Sequence, residues 1–122
     1  MDPRKALGAD GETAACRLLC QNGYRVLERN YRNRYGEIDV LAHEGGELVF
    51  MEVRSRSSDE FGSGAESVGP AKQRQLVRLA RLYLQEKRAE ETACRFDVVE
   101  MEPLDNGQWR GNIIKDAFRA DT

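Results

Sequence analysis

GEIDVLAHEGGELVFMEVRSR, residues 36–56, reads as two strands joined at Gly45-Gly46. A glycine pair supplies the positive φ angles that a two-residue hairpin turn demands. With those glycines as the turn, facing residues have numbers that sum to 91. Asp39 then lies across from Glu52, and Glu37 across from Arg54. Side chains alternate between the faces of a strand, so all four share a face with Leu41 and Phe50. Ile38, Val40, Ala42, Val49, Met51 and Val53 make the opposite face, which is uniformly apolar and therefore core. Facing residues hold their Cβ atoms about 4.5–5.5 Å apart, where two carboxylates repel. A hard divalent cation, which needs clustered oxygen ligands, would offset that repulsion. The alternative is a slip or bulge of one residue, which separates the acids and leaves them on an ordinary solvated face.

The chain of 122 residues is expected to form one domain, 1–122, with enough length to bury a core. Charged residues make up 33% and hydrophobic ones 40%, the balance of a globular chain. No apolar run approaches the ~20 residues of a membrane helix, and MDPRKALGADGE lacks a signal-peptide core. A cytoplasmic protein without membrane association is expected. Cys16, Cys20 and Cys94 have no CxxC spacing and read as small, buried or half-buried thiols. His43 has no nucleophile at a recognisable spacing, so a Ser/Cys–His mechanism lacks support.

A net charge of −2 weighs weakly against nucleic acid, yet the charge is segregated. Eight acids stand against two arginines between residues 37 and 66. Arg25, Arg29, Arg32 and Arg34 crowd the preceding stretch, and Lys72, Arg74, Arg78, Arg81, Lys87 and Arg88 line a later helix. An acidic centre with basic flanks suits a metal among phosphates. For Arg78, Arg81, Lys87 and Arg88 a charged solvent face is the simpler reading.

Residues 4–22 read as a helix stopped by Asn22-Gly23. Gly8 and Gly11 weaken it relative to alanine and point to close packing or phosphate approach. Glu12 precedes Ala15, Cys16 and Leu19 at helical spacing, which puts its carboxylate on or beside the inward face. Residues 24–31 read as a first strand, and the arginines of residues 32–34 serve either phosphates or loop solvation. Residues 55–69 are glycine-rich and aperiodic, a mobile loop beside the acidic face. Pro70 opens a second helix to about residue 88, with Leu76, Leu79, Ala80, Tyr83 and Leu84 as its apolar stripe. Lys72 lies on that stripe one turn earlier and can turn its ammonium to the sheet. Residues 95–101 make a strand parallel to the one before the helix. Residues 111–115 make an edge strand, and 116–119 a short terminal helix or tail.

Together these residues resemble a known family. Gly8, Gly11-Glu12, Gly23-Tyr24, Arg29-Asn30, Gly36-Glu37-Ile38-Asp39, the run 49–54, Lys72, Arg95-Phe96-Asp97-Val98-Val99 and Ala117-Phe118 are similar to the YraN-type family of predicted endonucleases. That family falls in the PD-(D/E)xK restriction-endonuclease-like superfamily, which includes archaeal Holliday-junction resolvases. The resemblance implies an α/β fold with an αβββαβ core, a mixed central sheet flanked by helices. It implies that Asp39, Glu52 and the Val53 backbone carbonyl bind Mg²⁺ or Mn²⁺, with Glu12 assisting directly or through water. The activity implied is metal-dependent hydrolysis of DNA phosphodiester bonds, with branched or structured DNA as a candidate substrate. Arg29, Arg32, Arg34 and Arg56 are the expected DNA contacts, and a homodimer follows by analogy with the resolvases.

Arg54 departs from the pattern, standing where the superfamily carries lysine. Lysine can be tuned toward neutrality, whereas guanidinium stays protonated and cannot act as a general base. Either the metal activates water with Arg54 as an electrostatic clamp, or Lys72 supplies the missing amine. The alternative is a non-catalytic nucleic-acid-binding or interaction module on a nuclease-like fold.

Overall fold

A computed structural model describes residues 8–55 and 68–120. Its elements are α1 (Gly8–Gln21), β1 (Arg25–Asn33), β2 (Gly36–Glu44), β3 (Glu47–Ser55), α2 (Pro70–Glu86), β4 (Cys94–Pro103) and β5 (Trp109–Phe118). The strands form one sheet in chain order, β1-β2-β3-β4-β5. Neighbours are antiparallel except β3 and β4, which run parallel and are joined through α2. This is the mixed sheet with flanking helices of a restriction-endonuclease-like core.

Each helix buries an apolar stripe on one face of the sheet. Ala15 and Leu19 of α1 pack with Val40, Ala42, Val49, Met51, Val53 and Val99. Leu76, Leu79, Ala80 and Leu84 of α2 pack with Leu41, Phe50, Phe96 and Val98. Burial on both faces explains why β3 is apolar almost throughout, with every residue from Leu48 to Arg54 buried. Helix α1 ends where Gly23 takes φ 87°, with the Tyr24 N–H donating to Leu19 and the Gly23 N–H to Cys20. That paired capping satisfies carbonyls the helix itself leaves open.

Under α1, a buried network ties the sheet's far end together. Asp97 accepts from the Tyr24 hydroxyl at 2.8 Å, from Arg95 Nε at 3.0 Å and from the Asp116 N–H at 2.8 Å. The last bond corrects the expectation for residues 116–119. Asp116 adopts φ 54° at an irregularity in the β4–β5 ladder, and β5 continues to Phe118 instead of turning into a helix or tail.

Ile38 is a second correction. It belongs with Tyr31, Leu41 and Phe50 under α2, not with Val40 and Ala42. Cys20 is exposed, against the expectation of a buried or half-buried thiol, while Cys16 and Cys94 are half-buried. Apart from its ends, the expected mobile loop 55–69 lies outside the described residues, as does Arg56. No helix among the described residues is long and apolar enough to cross a membrane.

Candidate active site

The predicted hairpin register holds from Glu44↔Glu47 to Val40↔Met51, and there the β2–β3 pairing stops. Asp39 is the next residue, and its carboxylate takes over from the ladder. Its Oδ2 accepts the Val53 N–H at 2.8 Å. The same point is irregular on the β1 side. Asn30 and Asp39 face one another between the pairs Arg29↔Val40 and Tyr31↔Ile38, and Asn30 adopts φ 57°. Asparagine tolerates this left-handed conformation better than most residues. The local break explains why Ile38 changes faces, because a strand that slips out of alternation turns its next side chain over.

Asp39 and Glu52 do meet at this opening. Burial pushes the Asp39 carboxyl up to about 8, and the charge of Glu52 adds to the rise. The Val53 N–H opposes it, favouring the carboxylate, while the neighbouring carboxyls of Glu37 and Glu52 raise it further. Two acids forced together in a desolvated place leave one protonated. The repulsion expected from the sequence is therefore present.

Glu52 is flanked by cations. Arg54 Nε lies 3.3 Å from its Oε2, and Lys72 Nζ lies 3.8 Å from its Oε1. Lys72 reaches in from the first turn of α2, as its place on the stripe predicted. Arg54 and Glu52 are almost enclosed, with side chains 9% and 10% exposed, whereas Lys72 is 27% exposed. Nη1 of Arg54 is buried and, among the described residues, has no hydrogen-bond partner. Glu37 does not neutralise Arg54, contrary to the facing pair expected, because the ladder has ended before it. Glu37 pairs instead with Arg32.

Glu12 stands behind Asn30. Its Oε1 accepts from Asn30 Nδ2 at 3.2 Å and from Arg29 Nη2 at 3.3 Å. It is thus linked to the residue opposite Asp39, with no direct contact to Asp39 or Glu52. Arg29 and Arg32, two of the expected DNA contacts, are both paired with carboxylates, while Arg34 bonds the Tyr35 hydroxyl at 2.9 Å.

Two residues escaped the sequence reading. Glu100 is wholly buried, aligned with Arg54 across the parallel β3–β4 pairing, and accepts from Asn112 Nδ2 at 3.3 Å. Its signal was an acid in step with the apolar Phe96 and Val98, on a face of the strand that should be buried. Asn30 enters the sequence analysis only within the expected first strand and the family resemblance, with no role at the site.

The donor set fits a divalent cation in part. Two carboxylates with a mutual repulsion and an adjacent peptide carbonyl at Val53 are hard oxygen ligands of the right kind. Among the described residues, however, no three His, Cys, Asp or Glu side chains converge on one metal position.

The chain matches the family model of UPF0102, described as an uncharacterised protein family, over residues 11–101. It is 48% identical to a UPF0102 protein of Symbiobacterium thermophilum, covering 95% of this chain and 98% of that one. A UPF0102 protein of Syntrophus aciditrophicus is 46% identical over 91% of this chain and 87% of its own. Among solved structures, Pyrococcus furiosus SfsA in complex with Ca²⁺ aligns with 81% of this chain and 58% of its own, at 16% identity and a TM-score of 0.38. That likeness is too loose to bear on activity. Agreement with the family model over most of its length, and relatives this similar end to end, place the chain in UPF0102, the YraN-type family it resembles in sequence.

Proposed function

We propose that this protein is a metal-dependent endonuclease that hydrolyses DNA phosphodiester bonds, with branched or structured DNA among its substrates. The observation that carries the reading is the meeting of Asp39 and Glu52 at the end of the β2–β3 ladder, where burial and mutual charge hold Asp39 protonated near neutral pH. A bound Mg²⁺ or Mn²⁺ supplies water activation and neutralises charge on the phosphate. Asp39 and Glu52, with the Val53 carbonyl, are the groups that would hold it. Asp39 would give up its proton on binding, and the cation's charge would offset the repulsion between the two carboxylates. Arg54, a guanidinium almost enclosed beside Glu52, serves as a fixed electrostatic clamp. Lys72, more exposed, borders the same carboxylate from the solvent side. Glu12 supports the site through Asn30.

One observation favours the rival reading of a non-catalytic DNA-binding module. Both Glu52 oxygens already have a cation beside them. Calorimetric Mn²⁺ titration and plasmid cleavage, each on wild type, Asp39→Asn and Glu52→Gln, separate the two. The nuclease reading expects binding and cleavage in wild type and neither in the variants. Salt-sensitive DNA binding with no cleavage of linear, nicked, branched or single-stranded DNA in Mg²⁺ or Mn²⁺ leaves the rival standing.

A further inference from the structure

The turn from β1 to β2 is held in one place by four separate devices. Asn33 and Gly36 pair, leaving Arg34 and Tyr35 as the two turn residues. The Asn33 Oδ1 accepts the Tyr35 N–H at 2.8 Å. Gln75 of α2 donates to the Tyr35 carbonyl at 2.8 Å. Gly36, at φ 141°, comes so near that a Cβ there would stand 2.4 Å from Gln75 Nε2. The φ of 141° favours glycine here, and any side chain would displace the Gln75 amide from the turn.

Two guanidinium groups gather on the ring so fixed. The Arg78 Cζ lies 3.8 Å from the Tyr35 ring centroid and the Arg34 Cζ 5.0 Å. Both side chains are exposed, and among the described residues neither has a carboxylate partner. Most of the other arginines held in place here are matched to acids. Arg29 has Glu12, Arg32 has Glu37, Arg54 has Glu52, and Arg95 has Asp97, Glu44 and Glu47. Arg34 and Arg78 are therefore positioned but, among the described residues, not neutralised, two like charges on one aromatic ring. Arg78 is exposed on α2, as expected, and also lies over the Tyr35 ring.

The stack is connected to the site. Lys72, Gln75 and Arg78 follow at steps of three along α2. Lys72 borders Glu52, Gln75 holds the turn, and Arg78 covers the ring. Lys72 and Arg78 are about 9 Å apart along the helix axis. One DNA strand advances about 3.4 Å per nucleotide, so this distance spans two or three nucleotides.

We infer that Arg34, Tyr35 and Arg78 form a subsite for the DNA sugar-phosphate backbone, two or three nucleotides from the phosphate that Lys72 borders at the proposed Asp39–Glu52 site. Guanidinium forks suit phosphate oxygens, and the ring spares them the entropy of being ordered on binding. The inference rests on the nuclease-site reading for its DNA ligand.

The test is fluorescence anisotropy of a labelled DNA duplex against salt, in EDTA so that nothing is cut. Each phosphate contact contributes about 0.9 to the slope of log affinity on log salt. Arg34→Ala/Arg78→Ala should flatten the slope by about 2, whereas Arg17→Ala/Arg25→Ala, which removes two exposed arginines away from the ring, should leave it unchanged. Tyr35→Leu keeps the charge and should weaken binding several-fold. An equal flattening in both double variants, or none in Arg34→Ala/Arg78→Ala while wild type binds, overturns the subsite and spares the nuclease reading. No salt-dependent DNA binding by wild type overturns both.

Discussion

Replacing Asp39 with asparagine should stabilise the metal-free protein, and by an amount that depends on pH. The carboxyl is pushed from its ordinary 3.8 to about 8, chiefly by burial and then by Glu52. Below about pH 4 the folded and unfolded chains both hold the proton, so Asp39 is neutral in the balance. Between about 4 and 8 the unfolded chain ionises and the folded one does not, so wild-type stability falls as pH rises. Above about 8 the whole cost is present. At about 1.4 kcal/mol per tenfold change in proton affinity, the ceiling is about 6 kcal/mol. Relaxation and water entry at a half-buried site reduce this, and about 2–3 kcal/mol is the expected gain at pH 9. Asparagine keeps an oxygen for the Val53 N–H, so the hydrogen bond at 2.8 Å survives and only the charge goes.

The assay is urea unfolding of wild type and Asp39→Asn in EDTA at pH 5, 7 and 9. The two midpoints should approach one another at pH 5 and separate progressively at 7 and 9, with the variant higher. A variant less stable than wild type at pH 9 would refute the argument. So would a difference that does not change with pH, because the cost would then not come from ionisation.

Three further outcomes follow from the same geometry. Glu52→Gln should act in the opposite direction, losing about 3 kcal/mol in urea unfolding, because it strands the enclosed Arg54 guanidinium without its carboxylate. Mn²⁺ affinity should rise about tenfold per pH unit from 6 toward 8, since Asp39 must release a proton to become a ligand. Calorimetry in buffers of different ionisation enthalpy should detect that proton. Arg88→Gly should raise stability by about 0.5–1 kcal/mol, because Arg88 caps α2 at φ 54° with its N–H donating to Gln85 and the Ala89 N–H to Leu84. A lower unfolding midpoint for this variant would mean that the arginine side chain contributes more than its backbone strain costs.

What the sequence made legible was whatever depends on alternation and turn chemistry. Gly45 and Gly46 set the register, and that register, read along the strands, carried Asp39 toward Glu52. The helical stripe from Leu76 to Leu84 likewise placed Lys72 at the sheet. What stayed hidden came from bonds that interrupt alternation. Asp39 bonds the Val53 peptide where a ladder bond should be, so Ile38 turns to the α2 face and Glu37 is freed from Arg54 to find Arg32. Asp97 does the same to β5 through the Asp116 N–H, and a predicted tail becomes strand. In both cases an acid in a strand competes with the backbone for its own hydrogen bonds, an ability that short polar side chains are known for in turns and caps. No count of apolar periods registers such competition. The break at Asp39 also ends the β2–β3 ladder at Val40↔Met51, just short of Glu52. The residue that interrupts the register is thus one of the two carboxylates proposed to hold a cation, and the irregularity and the candidate site have one cause.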